Sequence, residues 1–259
     1  MTKIVPIRPN LRSLTPARVS LPMAGQSIAT EEVLRFQLAH AQARDAVHAA
    51  LHLPSLAQRL RAELPLHAET SVLCLRSNAP DRNTYLRRPE MGRTLASECA
   101  ALLKRGEYDL AITIADGLSS LAIERNAIPL LAHLLPRLQD AGWALAPLTL
   151  VEQGRVAVGD PIGELLGARC SLVLIGERPG LSSPDSMGVY LTWAPQSGRT
   201  DAERNCLSNI RDGGLSAEAA AERLLWYLQA ARSQQRTGVH LKEGASAADE
   251  IADTPQNLL

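Results

Sequence analysis

The sequence predicts an α/β fold: a mostly parallel, Rossmann-like sheet with helices on both faces, preceded by an extended amino-terminal arm and a helical segment. Three observations carry this reading. Short apolar runs rich in strand formers recur at residues 71–75, 109–115, 145–151, 171–176 and 188–193. Helical stretches fall between several of them, and alternating strands and helices imply a parallel sheet covered on both sides. The runs are continuously apolar instead of alternating, as strands buried on both faces are.

The first 29 residues hold Lys3, Arg8, Arg12 and Arg18, with Pro6, Pro9, Pro16 and Pro22, and no acid before Glu31. Proline bars a continuous helix, so this stretch is expected to be an extended arm, either a loose terminus or a segment lying on a partner chain. A helix is expected from Thr30 as N-cap, with Glu31 and Glu32 in the first turn, where the helix dipole favours negative charge. Pro54 ends it, and a second short helix covers residues 55–64, completing a helical segment over 30–64. The α/β domain is expected over 65–240, with helices at 89–104, 118–124, 130–141 and 161–166 and a last one at 217–231 capped by Ser216. A loose polar tail, 241–259, follows.

Composition narrows the function classes. The chain has 259 residues, 46% of them hydrophobic, so it can bury a real core. Lys plus Arg and Asp plus Glu are 27 each, giving a formal net charge of zero. That balance argues against nucleic acid as the main partner and fits a subunit of a larger assembly. Aromatic residues make up only 3%, too few for base-stacking platforms. The four cysteines, Cys74, Cys99, Cys170 and Cys206, form no Cys-x-x-Cys pair. They read as a reduced, cytoplasmic pattern, with Cys74 and Cys170 as buried small hydrophobes. No apolar stretch approaches ~20 residues, so no membrane span is expected, and residues 1–23 lack the apolar centre of a secretory signal.

Ligands of an open parallel sheet bind beyond the carboxyl ends of the strands. Three connections there stand out. Asp116 and Gly117, in Ala115-Asp-Gly-Leu-Ser, read either as helix capping or as the floor of a site. Gly154-Arg-Val-Ala-Val-Gly-Asp-Pro has glycines that admit close backbone approach. It lacks the Lys-Ser/Thr of a phosphate loop, and Asp160 would repel phosphate, so a neutral amide-bearing ligand suits it better. Glu177-Arg-Pro-Gly-Leu-Ser-Ser-Pro-Asp-Ser is a stiff polar loop between two strands. A fourth segment, residues 198–211, carries Arg199, Arg204 and Arg211 with Cys206 beside Leu207, and reads as a solvated helix surface or a subunit interface. His48 and His52 have i, i+4 spacing, but no zincin pattern surrounds them. No nucleophile elbow and no joint set of acid, base and nucleophile emerges.

The strings Glu177-Arg-Pro-Gly-Leu-Ser-Ser-Pro-Asp-Ser and Gly198-Arg-Thr-Asp-Ala-Glu-Arg-Asn-Cys-Leu-Ser-Asn-Ile-Arg resemble the small (light) subunit of ethanolamine ammonia-lyase. Phe36-Gln-Leu-Ala-His-Ala-Gln-Ala-Arg-Asp-Ala-Val, Ala115-Asp-Gly-Leu-Ser and Gly154-Arg-Val-Ala-Val-Gly-Asp resemble it in the same order. The resemblance implies a subunit of an enzyme that converts ethanolamine to acetaldehyde and ammonia with adenosylcobalamin. It implies a large (β/α)8-barrel partner that holds the substrate, in an assembly with equal numbers of both subunits. Carried over position by position, it implies cobalamin contacts at Val156, Glu177 and Cys206, three loops converging at one end of the sheet. No residue of this chain is implied to be catalytic or to bind a metal. The Asp-x-His-x-x-Gly string of proteins that replace the cofactor's own base is not found, so the benzimidazole is expected to stay on cobalt. Some members enter a protein-shelled microcompartment by their amino terminus; the proline-rich arm departs from a clean amphipathic helix, which leaves the plain cytoplasm as the first expectation. Without the resemblance, a non-catalytic nucleotide-like binding or scaffold module is the competing reading.

Overall fold

The computed structural model describes residues 11–15, 17–66 and 71–242. The first ten residues of the arm and the tail beyond residue 242 lie outside the described residues. After a 3-10 turn, Leu11–Ser13, a two-residue hairpin pairs β1 (Met23–Ala24) with β2 (Ser27–Ile28). Two helices follow, α1 (Thr30–His48) and α2 (Leu53–Glu63). Ala29, not Thr30, occupies the N-cap of α1, and Glu31 and Glu32 lie in the first turn. His52 caps α2 by accepting the Ser55 N–H at Nδ1. His48 and His52 therefore sit on two different elements, not on one helix face as their spacing suggested.

The body consists of β3 (Val72–Arg76), α3 (Arg82–Arg87), α4 (Ser97–Ala100), β4 (Tyr108–Ala115), α5 (Ser120–Asp140), β5 (Leu148–Glu152), α6 (Gly159–Leu166), β6 (Ala168–Gly176), β7 (Met187–Trp193), β8 (Arg204–Ile210) and α7 (Ala217–Gln234). One six-stranded sheet runs in the order β3-β5-β4-β6-β7-β8. The first four strands are mutually parallel; β7 and β8 add on antiparallel. The expected fold class is correct.

Three local expectations fail for identifiable reasons. Residues 89–104 are not one helix: a 3-10 turn (Met91–Arg93) and the short α4 are separated by an extended stretch, where Leu95 bridges Ser77 beside β3. The helices expected at 118–124 and 130–141 are a single α5, which continues through Pro129 and Pro136. Each interior proline costs a helix about 3 kcal/mol. Full burial of Leu130, Leu131, Leu134, Leu135 and Leu138 on the sheet offsets it. Residues 204–210 are an edge strand instead of helix surface, because Leu207 and Ile210 pack inward while Asn205 holds the Gly238 and Leu241 carbonyls along the edge.

The two faces of the sheet are unequally covered. One face packs Leu110, Ile112, Ile114, Leu172, Leu174 and Val189 under α2, α5 and α7. The other packs Ala111, Ala115, Val151, Val173 and Ile175 under α6 and the segment around Cys99 and Leu103. Helix α6 lies on β4 and β6; beyond it, Thr192 and Arg204 are still buried, while Tyr190 is half-buried and Cys206 exposed. Cys170 is buried as expected, but Cys74 is exposed, on the edge strand β3.

The connections leaving β4 and β6 cross at their carboxyl ends, and two glycines permit it. A Cβ on Gly176 would lie 2.0 Å from the Ser119 carbonyl oxygen, and one on Gly117 would lie 2.2 Å from the Gly176 carbonyl oxygen. Gly176→Ala is therefore expected to destabilise the fold by about 3 kcal/mol or more. Gly142→Ala, where a Cβ meets nothing within 4 Å but φ is +66°, should cost only about 1–2 kcal/mol. Denaturant unfolding of both variants checks this, and equal losses would contradict the crossing argument.

Candidate functional site

Asp116 directly follows β4, with its side chain only 1% exposed. It does not cap α5; Ser119 does that, accepting the Ala122 N–H. Its two carboxylate oxygens instead accept the backbone N–H groups of Gln153 and Gly154, each at 3.0 Å, in the glycine loop after β5. The Arg82 guanidinium pairs with it at 3.4 Å. Burial pushes the Asp116 carboxyl up to about 6, against the pull of Arg82 and the backbone N–H groups. Asp160, at the start of α6, is likewise buried. It forms a two-pronged pair with Arg204 of β8, at 2.7 and 2.6 Å. Desolvation raises its pKa and the bonds from Arg204 oppose that. The acid that the sequence placed in the glycine loop is thus consumed in an ion pair that ties α6 to the edge strand.

Val156 opens a 3-10 turn, Val156–Val158, that leads into α6. Glu177 follows directly on β6. Cys206 is not in a loop: it lies within β8, paired with Tyr190 of β7, which in turn pairs with Val173 of β6. The expectation of three converging loops is corrected in that respect, because the polar run 198–211 hides a strand. Side chains directly opposite one another in paired strands share a face, so Val173, Tyr190 and Cys206 do. Val156 and Tyr190 both pack at the margin of the cluster that contains Val173 and Ile175.

Glu177 reaches the same face because Gly188 leaves room for it. A Cβ on Gly188 would lie 2.9 Å from the Glu177 Oε1. The carboxylate folds back over β7, where its Oε2 accepts from the Ser186 hydroxyl at 2.5 Å and the Asn209 N–H at 3.3 Å. Tyr190 and Cys206 both feel its charge. Desolvation raises the Cys206 thiol pKa although the residue is exposed by area; Tyr190 opposes the rise and Glu177 adds to it. Desolvation, then Cys206, also raises Tyr190. Thiol and phenol both stay protonated at neutral pH. The patch therefore offers one carboxylate acceptor beside neutral O–H and S–H groups, chemistry suited to holding a polar ligand and not to nucleophilic attack. Sequence reasoning missed Tyr190 and Ser186. A glycine between Met187 and Val189 inside a strand was the available signal, since such a glycine marks close approach by another group.

Glu177 and Tyr190 are half-buried and Cys206 is exposed, so the patch reaches the surface. A cleft of 580 Å³ lies elsewhere, between α1, the start of α5 and the turn at Pro184 and Asp185. A second, of 310 Å³, borders the glycine loop at Ala157, Asp160 and Pro161. Among the described residues no three His, Cys, Asp or Glu side chains are grouped to hold a metal ion. No described helix is long and apolar enough to cross a membrane.

The raised pKa of Asp116 has a definite sign. Its contribution to stability is fully present below its unfolded value near 3.8 and is lost as pH rises through about 6. Asp116→Asn should lack that loss, so the melting-temperature difference between wild type and variant should change between pH 4 and 6. Parallel curves from scanning calorimetry would contradict it.

The geometry can be set beside known proteins. A family model described as ethanolamine ammonia-lyase light chain (EutC) matches residues 8–242. A protein of Azotobacter vinelandii named ethanolamine ammonia-lyase small subunit is 53% identical over 257 residues, covering 96% of this chain and 93% of the relative. Proteins of the same name from Pseudomonas fluorescens and Ralstonia nicotianae are 49% and 52% identical, covering 96% and 91% of this chain and 93% and 87% of the relatives. By both measures the chain belongs to the ethanolamine ammonia-lyase light-chain family.

Proposed function

We propose that this chain is the small subunit of an adenosylcobalamin-dependent ethanolamine ammonia-lyase, and that the patch of Val156, Glu177 and Cys206 forms part of the cobalamin site where it meets a large catalytic subunit. The observation that carries the reading is the placement of Glu177. Gly188 clears the sheet face, Ser186 and Asn209 fix one carboxylate oxygen, and the other is left directed over β7 beside Tyr190 and Cys206.

The residues fit such a cofactor. Corrin side chains end in amides, which need both acceptors and donors. Glu177 supplies a carboxylate acceptor, Tyr190 supplies a hydroxyl, and the Val156 N–H takes no hydrogen-bond partner among the described residues. When bound, the cofactor supplies the radical by homolysis of its cobalt–carbon bond, and the protein supplies position and polarity. This chain's share is to bind the cofactor's polar rim, orient it and shield it from water. In this reading the large subunit, a (β/α)8 barrel, holds ethanolamine, and its elimination to acetaldehyde and ammonia takes place there.

An open patch suits a site completed by a second chain. So does α1, which exposes Leu34, Phe36 and Leu38. The arm over residues 1–29 and the helical segment 30–64 act in this reading as the region that reaches toward the partner, and 65–240 as the cobalamin-contacting domain ahead of the tail at 241–259. Equal numbers of the two subunits and a cytoplasmic or microcompartment setting belong to the same proposal.

The test is titration of cobalamin into the complex reconstituted with the large subunit. Glu177→Ala should weaken binding by about tenfold to a hundredfold, the loss of roughly 1.5–3 kcal/mol from hydrogen bonds to a charged group. Circular dichroism and subunit assembly should be unchanged. Unaltered cofactor affinity in the Glu177→Ala complex would overturn the assignment.

A further inference from the structure

We propose that Asp116, together with Arg82 and Tyr85, positions the glycine loop so that the Val156 N–H is presented to the cofactor. The inference rests on the reading that Val156 meets cobalamin, and extends it to residues that touch no ligand themselves.

The argument is an accounting of backbone groups. Gln153 donates its N–H to Asp116, and its carbonyl accepts from the Ser77 hydroxyl at 2.7 Å. Gly154 donates to the other Asp116 oxygen, and its carbonyl accepts from the Tyr85 hydroxyl at 3.1 Å. Arg155 donates its N–H to the Gly92 carbonyl at 2.7 Å. From Gln153 to Arg155 every N–H is engaged by a residue distant in sequence. The Val156 N–H is the first without a partner among the described residues. The loop is thus gripped up to the residue before the one implicated in binding.

The grip is of a kind a loop would not adopt unaided. Gln153 has φ +54°, in the left-handed region, where a side chain costs roughly 1–2 kcal/mol. Two consecutive N–H groups point at one carboxylate, which alone among side chains of this size has two oxygens free to accept them; asparagine would set an NH2 against one. A buried carboxylate is costly, and Arg82 offsets the charge. Its Nε donates to the Val47 carbonyl at 2.7 Å, and its Nη1 donates to the Gly117 carbonyl at 2.8 Å and the Gln153 Oε1 at 3.2 Å. One guanidinium therefore joins the last turn of α1, the β4–α5 turn and the glycine loop. The Arg82 and Arg155 guanidinium groups both lie over the Tyr85 ring, 4.8 and 4.3 Å from its centroid. It is fully buried. Fold stability alone would be served by a plain apolar contact here; a carboxylate aimed at two adjacent N–H groups fixes the loop's path.

Kinetics of the reconstituted two-subunit enzyme test this. Asp116→Asn should raise the KM for adenosylcobalamin about tenfold and Tyr85→Phe a few-fold, with kcat at saturating cofactor within about twofold of wild type, and the Kd for cobalamin read by absorbance titration of the complex without substrate should rise in step. Ile128→Val, in the core on the opposite face, should lower the melting temperature without moving that KM, which separates positioning from general destabilisation. If Asp116→Asn fails to assemble, Tyr85→Phe decides. An unchanged KM in the assembled variants, while Glu177→Ala raises it, overturns the positioning role and leaves the site standing. An unchanged KM in Glu177→Ala as well overturns the cofactor reading, and this inference falls with it.

Discussion

A single buried carboxylate at the end of β4 holds together the ligand end of this sheet. Asp116 joins the turn after β4 to the glycine loop after β5 through two N–H groups, while Gly117 and Gly176 let the turn after β4 pass against the end of β6. Neither contact is dispensable to the other: the crossing sets where the carboxylate lies, and the carboxylate sets where the loop goes. Arg82 closes the arrangement by carrying it to α1. Burial of an acid at this point raises its pKa, so the fold accepts an energetic cost in order to have two adjacent acceptors where only a carboxylate provides them.

The unequal cover of the two faces explains what remains exposed. Helices α2, α5 and α7 pack the larger core cluster onto one face. On the other, α6 stops at β6, and its Asp160 reaches across to Arg204 as if to end the cover there. What lies beyond is a small polar surface of Glu177, Tyr190 and Cys206, with Val156 at its margin. Its thiol and phenol, beside the Glu177 carboxylate, both stay protonated at neutral pH.

Much of this was legible in the sequence, and the failures share one cause. Strands β4, β6 and β7 announce themselves because they are continuously apolar, and the αβ alternation gave the fold class. Strand β8 did not, since an edge strand shows only two buried apolar residues, Leu207 and Ile210, beside a buried Arg204 and polar residues that solvent and Gly238 satisfy. The prolines of α5 read as breaks because the burial that outweighs them comes from residues far away in sequence. Asp116 looked like a cap for the same reason: its real partners are 37 and 38 residues further on, and Arg82 lies 34 before. Glu177 and Val156 were reached through resemblance, while Gly188, which makes room for Glu177, was a signal open to physical reading.

The most direct test of the account is amide hydrogen exchange on the two-subunit complex with and without cobalamin. The account predicts new protection at residues 154–158, 177–190 and 204–208, with α5 and α7 unchanged. Protection confined to the cleft beside α1, or to the α5–α7 face, would contradict it.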